Sequence, residues 1–167
     1  MPADNFASNP FAAASPLPMN YPQFDKIQDT DFTPAFDIGM SRQLKEIEAI
    51  ANNPAAPTFA NTIAEMEKTG LVLDRATNVF FNLQGTYKND ARDAIERDYA
   101  PKFSAHRDAI MLNATLFARI KTLYDARATL GLDPSDLRLL ERRYEDFVRS
   151  GAALEDAQKT RIRAINT

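Results

Sequence analysis

The sequence has no cysteine and no tryptophan, a single histidine (His106), and only five glycines in 167 residues. Without thiols it forms neither disulfides nor thiolate metal sites. One imidazole excludes the zincin arrangement, in which two histidines at i and i+4 on one helix flank a glutamate base. A histidine-dependent serine triad would have to use His106, and no G-x-S-x-G elbow accompanies it. Gly39, Gly70, Gly85, Gly131 and Gly151 are isolated from one another, so no glycine loop can cradle a phosphate. No apolar run reaches membrane-spanning length. The start of the chain, Met1 to Phe6, has no basic segment followed by an apolar one, as a secretory signal would. A soluble cytoplasmic protein with no membrane partner is the expectation. Charge of one sign is also missing. Residues 1–88 carry 6 basic and 10 acidic side chains, residues 89–167 carry 14 and 13, and the net charge is -3. Nothing concentrates the positive charge that a nucleic-acid partner would require.

What remains is a helical composition. Apolar residues make up 44% of the chain and charged residues 26%, with few β-branched runs. These values predict an all-α fold of about six antiparallel-packed helices. Residues 1–24, rich in proline, alanine, serine and asparagine, read as an extended, partly disordered arm with Phe6, Phe11, Leu17, Tyr21 and Phe24 able to dock. Residues 25–167 read as the helical domain. Thr33 and Pro34 are suited to cap and begin a first helix, whose apolar face carries Phe36, Met40, Leu44, Ile47 and Ala51. A long second helix is predicted over Phe59–Leu83. Its stripe of Phe59, Ile63, Met66, Gly70, Leu73, Thr77 and Phe80 could serve a coiled coil, but packing against neighbouring helices fits its three heptads better. A third helix over Asp90–Leu112 contains Pro101 and should kink there. Asn113 caps a fourth that ends at Gly131, Asp133 and Pro134 open a fifth that runs to Gly151, and a sixth begins near Glu155 with Ile162 and Ile165 apolar. The sixth makes barely three turns before the sequence stops, as expected of a fraying end or of the front piece of a longer protein.

Between the first two helices lies a joint, Asn53-Pro54-Ala55-Ala56-Pro57-Thr58-Phe59-Ala60-Asn61-Thr62-Ile63. Two prolines stop the incoming helix, because each lacks an amide donor and drives the residue before it out of helical geometry. Thr58 is a good N-cap for the outgoing helix. The local physics gives helix, rigid corner, helix.

Candidate chemistry along the chain reduces to ordinary helix faces. His106 shares its face with Tyr99, Phe103 and Ile110 and reads as a packing histidine. The pairs Glu65/Glu67, Glu96/Asp98 and Glu145/Asp146 read as solvated carboxylates. Arg138, Arg142, Arg143 and Arg149 alternate with Glu141, Glu145 and Asp146, a pattern of surface ion pairs. The residues supply no catalytic, cofactor-binding or metal-binding site.

The words of the joint, proline-threonine-phenylalanine and then asparagine-threonine-isoleucine, resemble the N-terminal signature of the thimet-oligopeptidase family of zinc metallopeptidases. Further words resemble its bacterial peptidyl-dipeptidase (dipeptidyl carboxypeptidase) branch: Phe24-Asp25-Lys26-Ile27, Asp31-Phe32-x-Pro34-Ala35-Phe36, Glu46-Ile47-x-Ala49-Ile50, Phe80-Phe81-Asn82-Leu83, Ala100-Pro101-Lys102, His106-x-Asp108-Ala109-Ile110 and Leu139-Leu140-Glu141-Arg142. Together they cover about residues 20–165. The resemblance implies an almost wholly helical protein whose N-terminal helices form one wall of a deep cleft that admits short peptides. It also implies zinc, two histidine ligands and a glutamate base on a catalytic domain far downstream. The matched residues belong to the wall alone, so no catalytic or metal residue carries over, and the chain by itself should be inactive. Its partners would be the catalytic domain, on the same or a neighbouring chain, and short peptides. The alternative is a free-standing helical module derived from that family, binding peptides or another protein.

Overall fold

A computed structural model describes residues 3–166 of the chain. Among these the secondary structure is helical, without strands. Six α-helices are present: α1 (Phe32–Ala51), α2 (Leu71–Thr86), α3 (Asp90–Met111), α4 (Ala114–Asp125), α5 (Pro134–Arg149) and α6 (Asp156–Asn166). A π-helical turn over Phe59–Ala64 and several short 3₁₀ turns join them. The chain divides into two compact units. The first combines the N-terminal segment up to Gln43 with Gly70–Ala100, and the second combines Leu44–Thr69 with the chain from Pro101 onward. Two of the three boundaries fall inside α1 and α3, the latter at the bond before Pro101, and the third falls just before Gly70.

The first unit has an aromatic core. Phe32, Phe36 and Phe80 are fully buried, and Phe80 meets the other two edge-on at 5.1 and 5.3 Å between ring centroids. Edge-to-face pairs of this kind add to the gain from burying the rings. Phe11 packs on Phe32 at 5.3 Å, and Tyr99 lies 5.2 Å from Phe36. Phe6 and Phe11, from the N-terminal arm, are both buried, whereas Leu17, Met19, Tyr21 and Phe24 are exposed. The arm is not uniformly extended: 3₁₀ turns cover Ala3–Ser8, Pro18–Asn20 and Phe24–Lys26. Gly39 on α1 lets α2 approach closely, since a Cβ there would lie 2.9 Å from the Leu73 backbone.

Helix starts follow local chemistry, with one shift. The first helix begins at Phe32, and Thr33 is not its cap. A turn over Asp29–Asp31 precedes it, and the Asp31 carboxylate accepts the Gln28 amide at 2.8 Å. The two predicted caps further on are in place. Asn113 accepts from the Leu116 amide at 2.9 Å, and Asp133 accepts from the amides of Ser135 and Asp136 at 2.8 and 2.9 Å, ahead of Pro134.

The long helix predicted from Phe59 is broken. Gly70 adopts φ +79°, a left-handed conformation that ends one segment before α2 starts at Leu71. A Cβ on Gly70 would also fall 2.3 Å from the Gln43 amide group. The apolar stripe survives the break but serves two cores: Ile63 lies in that of the second unit, Leu73 and Phe80 in that of the first. α4 likewise ends earlier than expected, at Asp125. A short turn over Arg127–Thr129 comes next, and Gly131 takes φ +64° beyond it. Ile165, expected on an apolar face, is 72% exposed.

The core of the second unit gathers Ile47 and Ile50 from α1, Ile63 from the π-turn, Leu116 and Ile120 from α4, and Leu140 and Phe147 from α5. Tyr124 and Tyr144 stack at 3.8 Å with an interplanar angle of 9°, and the Arg127 guanidinium lies 4.1 Å above Tyr124.

Candidate functional site

The most highly organised polar site of the second unit is the proline corner. Thr58 is extended (φ -128°, ψ 160°) and caps the π-turn. Its Oγ1 accepts from the Asn61 amide at 3.0 Å, while Asn61 Oδ1 accepts from the Thr58 amide at 2.8 Å. This reciprocal pair is a capping box with asparagine in place of the usual glutamate. Asn61 Nδ2 reaches back to the Ala56 carbonyl at 2.9 Å, and the Thr62 hydroxyl donates to Asn61 Oδ1 at 2.9 Å. Asn53 forms an Asx turn ahead of the prolines, accepting from the Ala55 amide at 2.9 Å.

Arg119 fastens this corner to α4. The residue is 7% exposed. Nη1 donates to the carbonyls of Asn53 and Ala55 at 2.9 and 3.0 Å, Nη2 to Asn61 Oδ1 at 3.0 Å, and Nε to Thr62 Oγ1 at 3.3 Å. All four acceptors are uncharged. A buried cation in such a place is tolerated because four of its five N–H donors meet oriented dipoles. The sequence pattern gives only a faint signal for Arg119. It sits between Leu116 and the pair Ile120 and Leu123, within the stripe that faces the core.

His106 is buried, at 8% exposure, and burial holds its imidazole below the ordinary histidine range. Of the carboxylates singled out in the sequence, Glu65, Glu67, Glu96 and Glu145 are engaged elsewhere. Glu65 pairs with Lys68 at 2.7 Å, Glu67 with Arg143 at 2.5 Å, and Glu145 with Arg149 at 3.5 Å. Glu96 accepts from Gln84 Nε2 at 2.7 Å. Asp93 takes the same Gln84 amide, and that hydrogen bond lowers its pKa. Among the described residues no group of three or more His, Cys, Asp or Glu side chains is placed to hold a metal ion. The zinc that the resemblance implies therefore does not fit this set of residues. No described helix is long and apolar enough to cross a membrane.

The corner is thus a fastening. No family model matches the chain. By sequence, however, it is a relative of bacterial peptidases. In particular it is close to enzymes named dipeptidyl carboxypeptidase. It is 39% identical to that of Salmonella typhimurium over 161 residues, 96% of this chain and 24% of the relative. With that of Escherichia coli K12 it shares 39% identity over 159 residues, 95% of this chain and 23% of the relative. The chain spans about a quarter of the length of these relatives.

Proposed function

We propose that the chain is the substrate-channel domain of a cytoplasmic zinc metallopeptidase of the peptidyl-dipeptidase type, within the wider thimet-oligopeptidase family. In this reading its helices form a wall that restricts entry to short peptides. Zinc, its ligands and the general base lie on a catalytic domain outside this chain and supply the activated water. The observation that carries the proposal is the 39% identity to dipeptidyl carboxypeptidases across 96% of the chain. The site chemistry supports it: Thr58, Asn61 and Thr62, at the heart of the resemblance, are engaged in holding a corner and Arg119. A wall needs rigidity of this kind, and its residues need touch no reacting atom.

A chimera tests the proposal directly. In it, this chain replaces the matched quarter of the Escherichia coli dipeptidyl carboxypeptidase. A folded chimera that releases dipeptides from short blocked peptides is the expected result. A folded, zinc-loaded chimera with no turnover would reject the channel-domain role.

A further inference from the structure

Methionine is placed unevenly in this chain. Met66 and Met111 are partly buried against the core of the second unit, and Met40 is half-buried on α1. Such positions are ordinary, because the unbranched thioether fills irregular gaps in apolar packing. Met19 is the exception. It is 99% exposed, more than any other large apolar side chain among the described residues.

The local chain holds it there. Pro16, Pro18 and Pro22 restrict the backbone on either side. Between them a tight turn is closed by the Asn20 amide on the Leu17 carbonyl at 2.9 Å and the Tyr21 amide on the Pro18 carbonyl at 3.2 Å. Met19 and Asn20 take φ +57° and +55° within it. Asparagine adopts this left-handed region readily, whereas methionine adopts it rarely. The neighbouring side chains of Leu17 and Tyr21 are themselves exposed. The thioether of Met19 is therefore open to solvent, on a turn with a defined backbone.

Reactivity follows from access, since a thioether is oxidised where an oxidant reaches its sulfur. We propose that Met19 is a reversible oxidation site whose co-substrate is a hydroperoxide, hydrogen peroxide being the simplest. The sulfur lone pair attacks one peroxide oxygen, the O–O bond breaks and an S–O bond forms. Sulfur gives up two electrons and becomes a sulfoxide. The other peroxide oxygen takes them and leaves as water, collecting the proton of the transferred oxygen through solvent. The product adds a polar oxygen where nothing is packed, so the fold is unchanged. The same oxygen on Met66 or Met111 would press a polar group into apolar packing. Oxidation also turns polar the middle of an exposed apolar stretch that includes Leu17, Tyr21 and Phe24. Methionine sulfoxide reductases, one for each epimer, restore the thioether. The site goes beyond the peptidase reading and does not depend on it.

The test treats the folded 167-residue chain with hydrogen peroxide and follows each methionine by peptide mapping and mass spectrometry. Met19 should gain one oxygen at the rate of free N-acetylmethioninamide, and be fully converted before Met66 or Met111 changes measurably. In concentrated urea Met19, Met40, Met66 and Met111 should react alike, which assigns the order to the fold. The chain oxidised at Met19 should keep its melting temperature, and the pair of reductases should return it to its starting mass. A Met19 slower than the free compound, equal rates at Met66 or Met111 in the folded chain, or the same order in urea would overturn the proposal. So would a lower melting temperature after oxidation of Met19, or resistance to the reductases.

Discussion

Arg119 and Asn61 are joined by a 3.0 Å hydrogen bond between side chains 58 residues apart, and the same asparagine oxygen also caps the π-turn through the Thr58 amide. One side-chain oxygen thus serves both the local turn and its attachment to α4. Arg119→Met should cost about 1–3 kcal/mol, because it removes the donors of the part-buried Asn53 and Ala55 carbonyls and of Asn61. Arg119→Lys keeps the charge but loses the fork, and should retain part of that stability. Urea unfolding of the three proteins measures the difference. Equal midpoints for Arg119→Met and the parent would show that the corner does not depend on the guanidinium.

Thr58 allows a second test of the corner. Thr58→Ala removes the cap and should cost about 1 kcal/mol. Thr58→Pro should cost more. It also removes the amide that Asn61 accepts, and forces a residue at φ -128° toward the proline value. Matching melting temperatures for the two variants would contradict this account.

Two glycines should respond in opposite directions. Gly39→Ala drives a methyl to 2.9 Å from the Leu73 backbone and should destabilise by about 1–3 kcal/mol. Gly85, in the last turn of α2, has nothing within 4 Å of its virtual Cβ. Gly85→Ala should stabilise by about 0.5–1 kcal/mol. Thermal melts of the pair provide the comparison, and a loss of stability in Gly85→Ala would be the contrary result.

His106 sets a pH dependence whose sign is dictated by burial. Its folded pKa lies below the unfolded value of 6.5, so the unfolded chain takes up the proton first. The contribution of the neutral imidazole is complete above pH 6.5 and declines as the pH falls below it toward the folded pKa. His106→Gln should flatten the stability profile in that window. A profile that stays as steep in the variant would assign the effect to other groups.

The 167-residue chain alone should neither retain zinc through dialysis nor cleave a short blocked peptide, since it has one histidine and no cysteine. Metal analysis and a peptide assay with and without added zinc check both. Chelator-sensitive turnover would direct attention to His106 and its neighbouring carboxylates.

Helix starts are the most legible part of the sequence. Asn113, Asp133 and Thr58 act through bonds two or three residues away, so their roles depend little on the rest of the fold. Gly70 is hidden by a spacing that matches the apolar stripe, whereas its φ of +79° reflects a turn that periodicity alone does not reveal. Arg119 is hidden for the opposite reason. Charge on a helix ordinarily means solvent, and its four acceptors lie 57 to 66 residues earlier in the chain. The bonds from Arg75 to the carbonyls of Phe11 and Ala12 span 64 and 63 residues and have no local signature.

The distance along the chain between Arg119 and its acceptors has a consequence in time. Arg119 comes 58 residues after Asn61, so during synthesis at about 5–20 residues per second the proline corner waits roughly 3–12 s for its guanidinium. Through that interval local bonds alone hold the corner in shape: the capping box of Thr58 and Asn61, the Asn53 turn and the bond from Asn61 to the Ala56 carbonyl. A ribosome slowed between those two codons would lengthen the wait, and a chain truncated before Arg119 would never end it.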